Sequence, residues 1–271
     1  MKTSKPAFTG FLLKLLASLL VAGMAFISFA HAQEVTILMS EELDEKNNML
    51  PLAPEIIDRL HAVEAAAGLK FDIRRYPWKR ALINVENGEG LVFGISKTPE
   101  RLRRFTFSEA VMSDVAWLVT SCDASFPFSS VNDLKGKTIG VVRGTSYGQE
   151  FDAQSNVLFK VEDDTNSNPA RLRKLLIRRT DAIVIYSSNL EREALEATTN
   201  KQYAESQTGA GGHGVKMFCI LPKPVSVQDV HFAIRPDLDK GIIKKLNTAI
   251  AATRKQGSPG QKPWLPPKEA Q

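Results

Sequence analysis

Residues Tyr76 to Val111, YPWKRALINVENGEGLVFGISKTPERLRRFTFSEAV, hold the change of pattern that decides the fold class. The spacing of Ala81, Leu82 and Val85 predicts a helix from about Trp78 to Glu86, and Asn87-Gly88 supplies the turn that ends it. Leu91, Val92, Phe93 and Ile95 then follow without polar alternation, as in a strand covered on both faces. Thr98-Pro99-Glu100-Arg101 reads as a second helix start, with a hydroxyl N-cap, a proline where its missing N–H costs nothing, and an acid at the positive end. Helix, buried strand and helix in immediate succession imply an α/β fold.

The flanking sequence extends that pattern. Val35–Met39 and Phe71–Arg75 read as short strands around a helix from about Ala53 to Ala67, with Ile56, Ile57, Leu60 and Val63 on its apolar stripe and Gly68 at its end. Further strands are expected at Val115–Thr120, Thr138–Val142, Asp181–Tyr186 and His231–Arg235, and helices near Tyr147–Ala153, Pro169–Arg179 and Leu238–Thr253. On the helix ending at Arg179, Leu172, Leu175 and Leu176 face inward, and Arg171, Arg173, Lys174, Arg178 and Arg179 form a solvated basic face. Gly209–Gly214 lacks the spacing and context of a dinucleotide loop and is read as a plain loop.

Lys2, Lys5 and Lys14 precede a charge-free run from Leu15 to Ala30 and an Ala30-His31-Ala32 site, the pattern of a secretory signal peptide over residues 1–32. That run is short against the roughly 20 residues of a membrane span. The leader takes three lysines and no acid with it, so the formal charge of +5 falls to +2. A balance that weak, with no aromatic-interleaved basic stripe, excludes nucleic acid as a partner. Cys122 and Cys219 in an exported chain are candidates for a disulfide, and the dispersed histidines give no metal-ligand spacing, so neither metal nor cofactor is expected. The tail, residues 256–271, is rich in Pro, Gly and Lys and is expected to be loosely packed.

Arg101 is the candidate with a physical signature. A cation in a first helical turn opposes the macrodipole by roughly 0.3 to 1 kcal/mol, so it is either compensated by Glu100 and Glu109 at the surface or placed to meet an anion. Gly144-Thr145-Ser146 repeats the arrangement of a buried strand, a glycine and helix-start hydroxyls, which serves either an anion corner or simple capping. Trp78 and Tyr186 stand at element ends where an aromatic either walls a ligand slot or packs in the core. No nucleophile elbow, paired carboxylates or zinc-protease motif is present.

Taken in order, W-x-x-A-L at Trp78–Leu82, Ser96, T-P-E-R at Thr98–Arg101, F-S-E at Phe107–Glu109, the run from Asp133 to Ser146 and D-A-I-V at Asp181–Val184 resemble the family 3 extracellular solute-binding proteins. The resemblance implies a type II periplasmic-binding-protein fold: two α/β lobes joined by two crossing segments that close over a small solute. Lobe 1 would comprise 33–116 plus 222–255, and lobe 2 residues 117–221. It further implies a monomeric periplasmic protein without catalytic residues, working with the membrane permease of an ABC-type uptake system.

By position, Arg101 resembles the family's carboxylate-gripping arginine, aided by Ser96 and the backbone near Gly94. Trp78 stands at an aromatic wall, and Thr145 and Ser146 form the opposite hydroxyl and amide corner. Cys122 and Cys219 would staple the base of the hinge. Two departures stand out. Tyr186 followed by Ser187 holds the place of the acid that meets a ligand ammonium, and SEELDEKNNMLPLAP replaces the aromatic loop after the first strand, leaving Glu41, Glu42 or Asp44 as substitutes. A carboxylate-bearing solute, an amino acid or a related organic acid, is therefore expected. The alternatives are a dehydratase-like enzyme on the same fold and a free-standing sensory protein.

Overall fold

The run of bulky apolar residues at Leu91–Ile95 is buried at every position except Gly94, because sheet neighbours and helices cover it from all sides. In the computed structural model, which describes residues 33–188, 191–208 and 216–256, this run is strand β3 of a mixed ten-stranded sheet. The leader, the Gly209–Gly214 loop and all but the first residue of the tail lie outside the described residues. Among the described residues, no helix is long and apolar enough to cross a membrane.

In chain order the first elements are β1 (Gln33–Ser40), α1 (Pro54–Ala67), β2 (Leu69–Tyr76), α2 (Trp78–Glu86), β3 (Leu91–Ile95), α3 (Pro99–Leu102) and β4 (Thr106–Phe107). There follow β5 (Met112–Ser121), β6 (Thr138–Val142), α4 (Gln149–Gln154), β7 (Lys160–Asp164), α5 (Asn168–Leu176) and β8 (Ala182–Ser187). The last are α6 (Arg192–Thr208), β9 (Phe218–Ile220), β10 (Ser226–Ile234) and α7 (Ile242–Gln256). The strand order is β2-β1-β3-β10-β5-β8-β6-β7, with β4 added to β10 and β9 to β5.

The two strands at the centre of that order divide the core. β10 pairs with β3 through His231–Ala233 and with β5 through Ser226–Val230, so one strand serves both halves of the sheet. In the first half, Ile37, Leu91, Phe93 and Phe232 pack against α1 and α7 on one face, and Leu38, Val92 and Ile95 against Trp78, Ala81 and Val85 of α2 on the other. In the second half, Ala116, Leu118, Ile139 and Val184 meet Tyr147, Phe151 and Phe159 on one face. Val115, Trp117, Ile183 and Ile185 meet Leu172, Leu175 and Tyr203 of α5 and α6 on the other. The period-two alternation along β5 and β8 feeds these two faces in turn.

Three features differ from expectation. β7 and α6 were not anticipated, because KVEDD is too acidic to announce a strand and α6 has only a weak apolar stripe, with Thr199 and Tyr203 among its buried residues. Arg171 is not on a solvated face: at 2% exposure it donates Nη2 to the carbonyls of Gly140 and Val184 and Nη1 to Asn168 Oδ1. The α5 helix stops at Leu176, and Arg178 takes a left-handed φ of 59° just beyond it.

Cys122 and Cys219 form a disulfide with Cα atoms 4.9 Å apart. The bond lies past the β9 end of β5, where Thr120 pairs with Cys219, whereas β5 leaves the first half near Met112, where it pairs with Val230. It ties the outer end of the second half and does not staple the base of the crossings.

Gly90, before β3, has φ +150°, and a Cβ there would lie 2.5 Å from the carbonyl oxygen of Thr36 in β1. Gly90→Ala is expected to destabilise the fold by about 2 kcal/mol or more, since backbone cannot yield as a side chain does. Urea denaturation followed by circular dichroism measures it.

Candidate functional site

Arg101 is held from its own element outward. Thr98, in extended conformation, accepts the Arg101 amide on its hydroxyl at 3.2 Å, and Pro99 fixes the first residue of α3. The helix is only one turn long, so the Arg101 side chain is not spent on a helical surface. It turns inward to 9% exposure. Nη1 donates to the Ser96 carbonyl at 3.0 Å and the Ser96 hydroxyl at 3.1 Å, and Nη2 to the carbonyl of Gly144 at 3.0 Å. Burial lowers the Arg101 pKa from its ordinary value, while Tyr186, Asp152 and Glu100 oppose that shift.

The Gly144 oxygen is shared. It also accepts the Trp78 indole N–H at 3.1 Å, so residues from α2, α3 and the loop after β6 converge on one carbonyl. Gly144 has φ +82°, and a Cβ there would stand 3.4 Å from the Lys79 Cα. Glycine thus permits both the backbone angle and the close approach. Trp78 is 6% exposed and packs with Ala81, Val85 and Val142.

The turn that follows is oriented by Asp152 of α4. Its Oδ1 accepts the Tyr147 amide at 2.9 Å, and its Oδ2 accepts the Ser146 hydroxyl. The Thr145 amide donates to Val142 at 3.0 Å. The Tyr186 hydroxyl donates to the Ser146 carbonyl at 2.5 Å, and its ring stacks on Tyr147 with centroids 5.2 Å apart. Burial raises the Tyr186 pKa well above the ordinary value, which keeps the hydroxyl protonated as a donor.

A cleft of about 720 Å³ opens beside Arg101. One wall carries Lys97, Thr98, Glu100, Arg101 and Arg103, the other Gly144, Thr145, Ser146, Gln149 and Asp152, and Gln228 of β10 lies between them. Apart from Pro99 and Gly144, the lining residues carry polar or charged side chains. Of the residues singled out in the sequence, Arg101, Thr145 and Ser146 line it directly. Ser96, Trp78 and Tyr186 stand behind it through the bonds above. Gly94 is exposed at φ +96°, with open space where a Cβ would point, and no bond joins it to Arg101 among the described residues.

The Thr145 amide and the Ser146 hydroxyl are donated inside the second half, and both residues still line the cleft. What this wall aims at Arg101 is an acceptor, the Gly144 carbonyl, backed by the Asp152 carboxylate. Sequence reasoning missed Asp152. Its bonds reach back five and six residues, beyond the spacings at which a local capping acid is read from sequence.

A family profile described as bacterial extracellular solute-binding proteins, family 3, matches residues 56–261. The chain belongs to that family. No curated protein sequence matches it. Among solved structures, it is similar to an ancestral arginine-binding protein bound to arginine, at 20% identity and TM-score 0.62, with 83% of this chain and 93% of that one covered. The holo arginine-binding protein ArgBP of T. maritima aligns at 17% identity and TM-score 0.61, covering 83% and 92%. The amino acid ABC transporter substrate-binding protein AbpA of Streptococcus pneumoniae, bound to L-arginine, aligns at 17% identity and TM-score 0.60, covering 83% and 90%. These likenesses show the two-lobed type II fold.

Asp114, on β5 next to the crossing, pairs in register with Gln228 and shares its face of the sheet with Ala116 and Tyr186. Burial pushes its carboxyl up to about 6, against the opposing charge of Arg59. Its ordinary value is 3.8, so between about pH 4 and 6 the folded state binds more protons than the unfolded chain, and stability falls as pH rises through that window. Asp114→Asn should abolish this slope, worth at most about 3 kcal/mol. Denaturant titrations of both proteins at pH 4 and pH 7 measure the difference.

Proposed function

We propose that this family 3 solute-binding protein captures a small carboxylate-bearing solute, an amino acid or related organic acid, between its two lobes and delivers it to the membrane permease of an ABC-type importer. The observation that carries the reading is the buried Arg101 guanidinium, anchored on Ser96 and aimed across the cleft at a single carbonyl oxygen. A carboxylate oxygen is the stronger acceptor for the same donor, because the bond becomes doubly charge-assisted. Solute entry therefore replaces the Gly144 contact at Arg101 with a better one.

The acceptor character of the opposite wall extends the reading. A solute whose carboxylate takes the Arg101 donors releases the Gly144 carbonyl, which with Asp152 then suits a donor on the same solute. An amino group or a hydroxyl beside the carboxylate meets that requirement, so the missing acid at Tyr186 does not exclude an amino acid. The arginine and glutamine bound by structural neighbours are consistent with this choice. In this reading lobe 1, expected over 33–116 and 222–255, ends near Met112 and resumes near Val230, lobe 2 is the stretch between them, and residues 1–32 are a leader that directs a monomeric protein to the periplasm.

Binding rather than catalysis also fits Asp152. Both of its oxygens accept bonds from the turn it caps, which suits a fixed charge better than a proton carrier. A sensory role would use the same capture step with a different membrane partner.

A thermal-shift screen of amino acids, hydroxy acids and dicarboxylates should give at least one hit, since a ligand bound only by the native state raises the midpoint with concentration. Arg101→Ala should weaken that hit by about 2–4 kcal/mol, roughly 30- to 1000-fold, through faster release. Titration calorimetry with the hit checks this, and unchanged affinity would remove Arg101 from the site.

A further inference from the structure

The loop after β1 is a folded turn in its own right. Asp44 Oδ1 accepts the amides of Lys46 and Asn48 at 2.8 Å each, its Oδ2 accepts Asn48 Nδ2 at 2.9 Å, and Asn47 holds a left-handed φ of 63° at the tip. Leu43 and Met49 bridge its two arms. The turn is fixed to the first half: the Glu41 amide donates to the Tyr76 carbonyl at 2.8 Å, and Arg75 donates to the carbonyls of Ser40 and Leu50.

Its other edge is bonded to the second half. The Leu43 amide donates to the Asn166 carbonyl at 2.9 Å, Asn166 Nδ2 to the Glu41 carbonyl at 2.9 Å, and the Ser167 hydroxyl to the Asp44 carbonyl at 3.1 Å. Asn168 Nδ2 donates to Glu42 Oε1 at 3.3 Å. Farther out, Glu45 pairs with Arg173 of α5 and accepts Gln207 Nε2 of α6 at 2.8 Å. Ser167 is 1% exposed, while Asn166, Asn168 and Glu41 to Glu45 around it are half-buried. These bonds run from chain to chain and lie outside the cleft lining, so their strength does not depend on what the cleft contains.

We propose that the 41–50 turn is a latch between the two lobes, and that Glu45, Asn166 and Ser167 are positioning residues that set how long a captured solute is held. The inference rests on the two halves being opposed walls of a solute cleft. Apparent affinity scales with the population of the binding-competent arrangement, so a bond that favours that arrangement alone raises affinity without touching the solute. Because the latch must break before the walls part, its loss acts on release more than on capture.

The test uses the mature chain, with L-arginine and L-glutamine as probes beside any hit from the screen. Asn166→Ala combined with Ser167→Ala removes the Asn166 bonds to the Ser40 hydroxyl and the Glu41 carbonyl and the Ser167 bond to Asp44, and leaves the Leu43 backbone bond. Expected are an increased radius of gyration in small-angle X-ray scattering without solute, and a release rate about 10- to 100-fold faster at nearly constant association rate. Glu45→Lys, which sets a like charge against Arg173 at the surface, should expand the protein in the same direction and serves if the double variant does not fold. Unchanged scattering together with unchanged release overturns the latch. Failure of every carboxylate to bind the parent protein overturns the cleft reading instead, and the solute-free scattering still judges the contact.

Discussion

A buried guanidinium must be met by oxygen on every edge it cannot show to water, and among the described residues no carboxylate pairs with Arg101 to do this. The desolvation of such a cation costs several kcal/mol, which only well-aimed acceptors offset. The Ser96 carbonyl and hydroxyl meet one nitrogen and the Gly144 carbonyl meets the other. Much of the surrounding architecture follows from that requirement. Thr98 and Pro99 fix the start of the one-turn helix whose arginine is buried, and glycine at 144 lets a second segment of backbone approach to the van der Waals limit of Lys79. The contact is neutral on one side and charged on the other, so it holds the walls while remaining replaceable by an anion.

Much of this was readable from local chemistry. The Thr98-Pro99 cap, the unalternated Leu91–Ile95 strand and the adverse placement of Arg101 each depend on neighbours within four residues, and each stands in the structure where the sequence placed it. What escaped was decided at long range. Arg171 occupies a helical position whose local pattern is polar, yet it is buried because Gly140 and Val184, on two different strands, offer it carbonyls. The partners of the turn after Gly144 were equally hidden: a hydroxyl at a helix start can serve a ligand or its own chain, and here the Asp152 carboxylate takes the Ser146 hydroxyl and the Tyr147 amide.

The unread helix α6 makes the same point from the opposite side. Its apolar stripe is thin, but Tyr203 packs edge-on against Phe218, and Asn200 holds the backbone of Met217 and Phe218 through its side-chain oxygen. Polar side chains do the docking there. Hydrophobic periodicity cannot report a helix attached to its sheet by amide bonds, since those residue types are equally at home in solvent.

Reversible closure sets an upper limit on how firmly the two halves can be joined. A protein that exchanges solute needs open and closed arrangements within a few kcal/mol of one another. A large apolar seal between the walls would exceed that, at about 25 cal/mol per Å² buried. The contacts between the halves keep to the permitted scale. They are hydrogen bonds from Leu43, Asn166, Ser167, Trp78 and Arg101, with an ion pair between Glu45 and a half-exposed Arg173, each worth about 1 kcal/mol net or, for the charged donor, somewhat more. Among the described residues, Val142 carries apolar packing from the second half into the core of the first. The polar character of the interface suits the cycle, and a run as hydrophilic as SEELDEKNN can stand between two lobes because hydrogen bonds, not apolar burial, hold it there.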